Sequence, residues 1–177
     1  MSRGTKMGGT RRLATFAIAA VAAILVARPA PARADDPDFV VGSVGWYDMN
    51  RRTNTATSFN IEYRSDYKLW IFKPFGGLMA TTDAAVYGYA GLGIDVFLGR
   101  RLVLTGNTAF GAYHDGNGKD LGHWIEFRSG LELGYRFDDR SRLGMGFHHI
   151  SNANIGDKNP GTEILSIFYA IPLHSGN

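Results

Sequence analysis

Cysteine is absent from this chain of 177 residues. Disulfide staples, thiol nucleophiles and Cys-ligated metals are therefore excluded. Apolar runs of membrane-helix length are also missing: the longest, 13–27, falls short of the ~20 residues that a spanning helix needs. Proline is scarce, with six in all, and no sustained helical period follows residue 35. No Gly-rich phosphate loop, redox motif, internal repeat or low-complexity linker is visible. These absences leave one domain built from strands, and any entry into a membrane must be as a closed sheet, because lipid offers no partners for unpaired backbone groups.

The first 34 residues have the pattern of an export signal. Arg3, Lys6, Arg11 and Arg12 precede the apolar run, and Ala32-Arg33-Ala34 closes the segment. Cleavage is expected after Ala34; an uncleaved anchor is the weaker alternative, and the Arg-Arg pair matches a twin-arginine signal too incompletely to choose the export route. The segment holds six of the 19 basic residues and none of the 16 acidic ones, so the mature chain carries 13 against 16 and a net charge of −3. The high isoelectric point of the whole chain then gives no reason to expect a nucleic-acid partner.

The mature segment, 35–177, reads as eight strands: 38–47, 57–64, 68–79, 85–98, 101–113, 123–137, 141–151 and 162–173. Pro74 marks a bend or an early break in the third. Alternation is clearest in the sixth, where Ile125, Phe127, Leu131, Leu133, Tyr135 and Phe137 share one parity and Glu126, Arg128, Glu132 and Arg136 the other. The fourth repeats it, with Val86, Ala90, Leu92, Ile94 and Val96 against Tyr87, Tyr89 and Asp95.

Alternation alone leaves two barrels open. A soluble barrel of the lipocalin kind buries the apolar face, whereas a membrane barrel turns it to lipid and fills its lumen with polar groups. Three features favour the membrane: several strands reach the roughly 9–11 residues that a tilted strand needs to cross a bilayer, the polar face combines Glu with Arg, and connection lengths alternate. Counting from a periplasmic start, the second, fourth and sixth connections (65–67, 99–100 and 138–140) are short. The first, fifth and seventh (48–56, 114–122 and 152–161) are longer, and the third (80–84) is modest. Short periplasmic turns and longer outer loops are the outer-membrane pattern. The expected fold is thus an all-β, eight-stranded antiparallel up-and-down transmembrane β-barrel in the bacterial outer membrane.

Between the seventh and eighth strands lies a dense polar stretch, 148–163. His149 and Ser151 share parity with Leu143, Met145 and Phe147, and Glu163 shares parity with Leu165, Ile167, Tyr169 and Ile171. All three residues therefore belong to the lipid-facing wall at the extracellular end. A serine hydroxyl, an imidazole to take its proton and a carboxylate to orient the imidazole suffice for acyl transfer. The bland alternative is interfacial polarity at strand ends, where the cost of polar groups falls. His148, of opposite parity, is expected in the lumen as a structural residue.

The order His149-Ile150-Ser151-Asn152-Ala153, followed by Asn159-Pro160-Gly161 and Glu163, resembles the signature of the PagL family of outer-membrane lipid A 3-O-deacylases. The family's eight-stranded barrel fits most of the mature chain. The resemblance implies Ser151 as nucleophile, His149 as general base and Glu163 as the residue orienting it. It also implies lipid A or lipopolysaccharide as substrate, other outer-membrane lipids as neighbours, and no cofactor or metal.

Acyl transfer also needs donors to the oxyanion. Candidates are the Asn159 side-chain amide and a backbone N–H near Ala153 or Asn154, with Asn152 as a donor or as a support of the loop. Family members often carry Gly where this chain has Asn154, a departure that Asn, tolerant of left-handed geometry, can accommodate. Rival functions are an outer-membrane phospholipase and a non-catalytic structural or binding barrel. Oligomeric state is open, a homodimer included.

The stretch 114–120 lacks the acidic spacing of a calcium loop and reads as a Gly-rich outer turn. Arg100 and Arg101 read as periplasmic surface. Trp46, Trp70, Tyr113 and Trp124 are expected in aromatic girdles.

Overall fold

The computed structural model describes residues 36–173; the predicted signal segment lies outside them. Eight strands follow in chain order: β1 Asp38–Tyr47, β2 Ala56–Arg64, β3 Lys73–Thr81, β4 Val86–Leu98, β5 Leu102–His114, β6 Ile125–Arg136, β7 Arg142–Ser151 and β8 Thr162–Leu173. Each pairs antiparallel with the next, and β1 pairs with β8 to close the barrel. Closure leaves no free sheet edge, the condition that lipid imposes on strands.

Side chains are sorted by parity as the sequence predicts. Ile61, Leu78, Phe110 and Leu131 are each about 60% exposed on the outer wall, while Glu62, Glu126 and Glu132 are buried inside. This distribution is inside-out for a water-soluble barrel and right for one surrounded by lipid.

The lumen is filled in tiers. At the end carrying the odd-numbered connections, Tyr47 and Tyr113 share a hydroxyl–hydroxyl hydrogen bond of 2.9 Å, and Tyr87 stacks on Tyr89 with ring centroids 5.0 Å apart. In the middle, Arg64 donates two bonds of 2.8 Å to Glu132 and one of 2.5 Å to Glu62. His148 Nε2 lies 3.2 Å from the same Glu132. At the other end, Arg142 bridges Asp36 at 2.7 Å and Asp95 at 3.2 Å, with Lys73 beside both carboxylates. Fork-shaped guanidinium–carboxylate pairs satisfy several lone pairs at once, which makes charge tolerable where little water reaches.

Three expectations are corrected. The third strand starts at Lys73, not at residue 68, so the second connection runs 65–72 and is not a short turn. Leu69 and Phe72 close a small hairpin by mutual backbone bonds of 2.8 and 3.1 Å, with Trp70 at φ +64° in its bend. Pro74 then sits inside β3 rather than breaking it. Its carbonyl accepts from Ser65 N–H beyond the end of β2, so the missing proline N–H points where no strand partner remains. Tyr113 also leaves the predicted girdle: it faces the lumen, buried, and donates to the Lys119 carbonyl at 2.7 Å. Trp46, Trp70 and Trp124 remain exposed.

Candidate active site

His149 and Glu163 are direct register partners across β7 and β8, both facing outward. His149 Nδ1 stands 3.3 Å from Glu163 Oε1. In the tautomer with its proton on Nδ1, the imidazole donates to the carboxylate and keeps the Nε2 lone pair free for a proton. The Glu163 side chain is 19% exposed and that of His149 43%, so the carboxylate is shielded while the ring stays accessible. The backbone holds Glu163 from a third side: its carbonyl accepts from Met49 N–H at 3.2 Å.

Ser151 ends β7 on the same face, opposite Phe127 of β6, and is half-buried. Among the described residues no Ser151–His149 hydrogen bond is formed; two positions along a strand separate the Cα atoms by about 7 Å. Such bonds commonly tighten only when substrate is present. Gly161, at φ +60°, lies against the imidazole: a Cβ there would stand 2.9 Å from His149 Cε1. Glycine is needed here both for the backbone turn and for the ring's space.

The connection 152–161 is organised by Asn152, which is fully buried. Its amide donates to the carbonyls of Leu121 at 2.9 Å and Lys158 at 2.8 Å, and its Oδ1 accepts from Asn154 N–H at 2.9 Å. Its own N–H donates to Asn159 Oδ1 at 3.1 Å. Asn159 Nδ2 donates to Asn154 Oδ1 at 3.2 Å. Of the candidate oxyanion donors, Asn154 N–H is thus occupied in holding the loop, whereas Asn159 Nδ2 commits one of its two N–H groups to Asn154 and keeps the other. Ala153 N–H has no protein acceptor among the described residues, and Ala153 is an exposed residue two positions after Ser151. Ala153 and Asn154 adopt φ of +53° and +64°, so Asn154 accommodates the left-handed backbone that glycine would otherwise supply.

The fifth connection, 115–124, braces the seventh. A Cβ on Gly122 would fall 2.1 Å from the Lys158 carbonyl, so the two backbones touch. Lys158 also pairs with Asp120 at 2.7 Å. That bond, with Gly122 N–H, lowers the carboxyl pKa of Asp120. Deeper, Lys119 is buried in an ion pair with Asp48, which caps the first connection by accepting from the N–H groups of Thr53 and Asn54. Burial alone pushes the Asp48 carboxyl up, but Lys119 and these donors outweigh it and hold it below its ordinary value. The sequence reading had the Lys119 segment only as an outer turn. Its one available signal was a lysine among turn residues, which does not name a partner 71 positions away.

No curated protein matches the chain. The crystal structure of the outer-membrane enzyme PagL superposes with a TM-score of 0.60 at 19% identity, covering 77% of this chain and 99% of the other. A de novo designed transmembrane β-barrel gives 0.54 at 13%, covering 77% and 96%. At these identities the likeness is one of fold. The family model described as lipid A 3-O-deacylase (PagL) matches residues 42–172, which take in β2 to β7 whole, β1 from Gly42 and β8 up to Pro172. By that match the chain belongs to the PagL family, as an eight-stranded outer-membrane β-barrel.

Proposed function

We propose that this protein is a serine esterase that removes the ester-linked 3-position acyl chain of lipid A. The observation that carries the reading is the outward-facing His149–Glu163 pair, 3.3 Å apart, on the same wall as Ser151 and at the rim of the barrel. An acid–base pair is costly on a lipid-facing surface, and it meets a lipid ester there without extracting it from the leaflet. Ser151 Oγ attacks the ester carbonyl while His149 Nε2 takes its proton, and Glu163 holds the Nδ1–H and stabilises the imidazolium. The tetrahedral oxyanion forms beside Ala153 N–H and the second N–H of the Asn159 side-chain amide. Collapse breaks the C–O bond to the sugar, whose oxygen takes the proton from His149. Water, deprotonated by the same imidazole, then cleaves the acyl-enzyme to a 3-hydroxy fatty acid and regenerates Ser151.

Mass spectrometry of lipid A from cells expressing the wild type beside Ser151→Ala tests this. Loss of one 3-hydroxyacyl chain with the wild type alone is the expected result. Unchanged lipid A with shortened glycerophospholipids identifies a phospholipase instead, and no lipid product at all identifies a non-catalytic barrel. Every group named belongs to one chain, so the chemistry does not require a homodimer, which sedimentation in detergent tests separately.

A further inference from the structure

The site does not end at His149. On the side away from Glu163, His149 pairs in register with Ser129 of β6, and Ser129 pairs with Thr108 of β5. Glu163, His149, Ser129 and Thr108 therefore form one unbroken row of polar side chains across four strands, with Ser129 and Thr108 both exposed on the outer wall. The remaining outward residues of β5 to β8 are apolar, aromatic or glycine, save His114 and Ser151 at strand ends. Neither hydroxyl has a protein hydrogen-bond partner among its neighbours within the described residues. One stray hydroxyl on a lipid wall needs no explanation, but two aliphatic hydroxyls in register with the imidazole, with no other outward-facing one in the interior of these strands, form a track.

The row also slopes. No outward residue of β8 lies above Glu163; above His149 lies Ser151, above Ser129 lie Phe127 and Ile125, and above Thr108 lie Phe110, Ala112 and His114. The track thus starts at the extracellular rim and descends into the bilayer, with Phe127 and Phe110 as its upper bank and Leu131 and Leu104 as its lower. Beside Leu131, the outward Gly106 leaves a dent.

We propose that this track seats the acyl chain being released, and that the Ser129 hydroxyl, assisted by Thr108, recognises a hydroxyl substituent close to the ester. The inference rests on the esterase reading above. With the ester carbonyl at Ser151, a chain that runs down the track passes Ser129 one strand spacing, about 5 Å, from the imidazole. A 3-hydroxyl sits two carbons beyond the carbonyl, within that reach. Ser129 is then a specificity residue: it touches the substrate, but takes no part in bond breaking.

The test uses purified, refolded barrel in detergent micelles. Two phosphorylated glucosamine esters are compared, acylated at the 3-position with 3-hydroxytetradecanoate or with tetradecanoate. The wild type is expected to favour the hydroxylated ester about tenfold in kcat/KM, one good hydrogen bond's worth. Ser129→Ala is expected to bring that ratio near one while cutting the plain ester within about twofold of wild type, and Thr108→Val to lower it to about threefold. Equal preference in wild type and Ser129→Ala, no preference in the wild type, or equal loss on both esters in a folded Ser129→Ala would each overturn the proposal. Heat-modified gel mobility reports folding of every variant. If the folded wild type cuts neither ester, the esterase reading itself falls, an outcome distinct from a lost preference.

Discussion

Gly161→Ala isolates the geometry on which the proposed chemistry depends. The new Cβ would stand 2.9 Å from His149 Cε1, whereas carbon atoms rest at about 3.5 Å or more, so the ring must retreat by roughly 0.6 Å or more. A displacement approaching 1 Å at a reacting group can cost about a hundredfold in rate. The backbone at φ +60° adds a left-handed penalty of about 1 kcal/mol that has nothing to do with the imidazole. Gly99→Ala supplies the control, since Gly99 has φ +75° and open space where its Cβ would go. The two variants are expected to lose similar stability, read by urea titration of tryptophan fluorescence in micelles. Only Gly161→Ala loses kcat, by about a hundredfold, with KM nearly unchanged. A Gly161→Ala enzyme that keeps a third of its activity, or a Gly99→Ala enzyme that loses as much, would refute the packing of this glycine against the base.

Two further predictions concern the loops that hold the site. Lys119→Met strips Asp48 of its buried counter-charge and is expected to cost about 3 kcal/mol or more at pH 7. Because the folded Asp48 carboxyl is held below its unfolded value of 3.8, its contribution is complete above that pH and fades as pH falls through the lowered folded value. The gap between wild type and variant therefore narrows in acid; a gap independent of pH would show that Asp48 is not the group affected. Asn152→Ala removes three side-chain hydrogen bonds and orphans the carbonyls of Leu121 and Lys158. It is expected to cost about 3 kcal/mol and to expose residues 153–160 to protease, with activity falling as the loop opens; an intact, protease-resistant loop would contradict its role as hub.

Much of the barrel is legible in the sequence because lipid enforces a strict rule. A strand with lipid outside and ion pairs inside must alternate, and the runs around Leu131 and Leu92 do so but for their glycines, the polar track and Phe97, whose ring lies inside under Arg136 and Arg142. The same rule fails at 68–72. Leu69, Ile71 and Phe72 have the composition of a strand, but they close a local hairpin, and nothing in composition distinguishes pairing with a near neighbour from pairing with β2. The site was legible to the extent that parity governs it: His149 and Glu163 meet because their strands pair in that register. What parity could not reveal was which amides the loop consumes. That Asn154 N–H is spent on Asn152 and one N–H of the Asn159 amide on Asn154 depends on a fold of the loop that no pairwise spacing encodes. Ser129 and Thr108 give no signal in the sequence for a related reason, since their alignment with His149 exists only across three paired strands.

The filled lumen has a consequence for how such a protein meets its substrate. With Arg64 paired to Glu132 and Arg142 to Asp95, side chains occupy the interior of the barrel, and the proposed catalytic groups stand outside it. Encounter is confined to the plane of the leaflet, so the quantity that sets the rate is the fraction of neighbouring lipids that carry the ester, not its amount per litre.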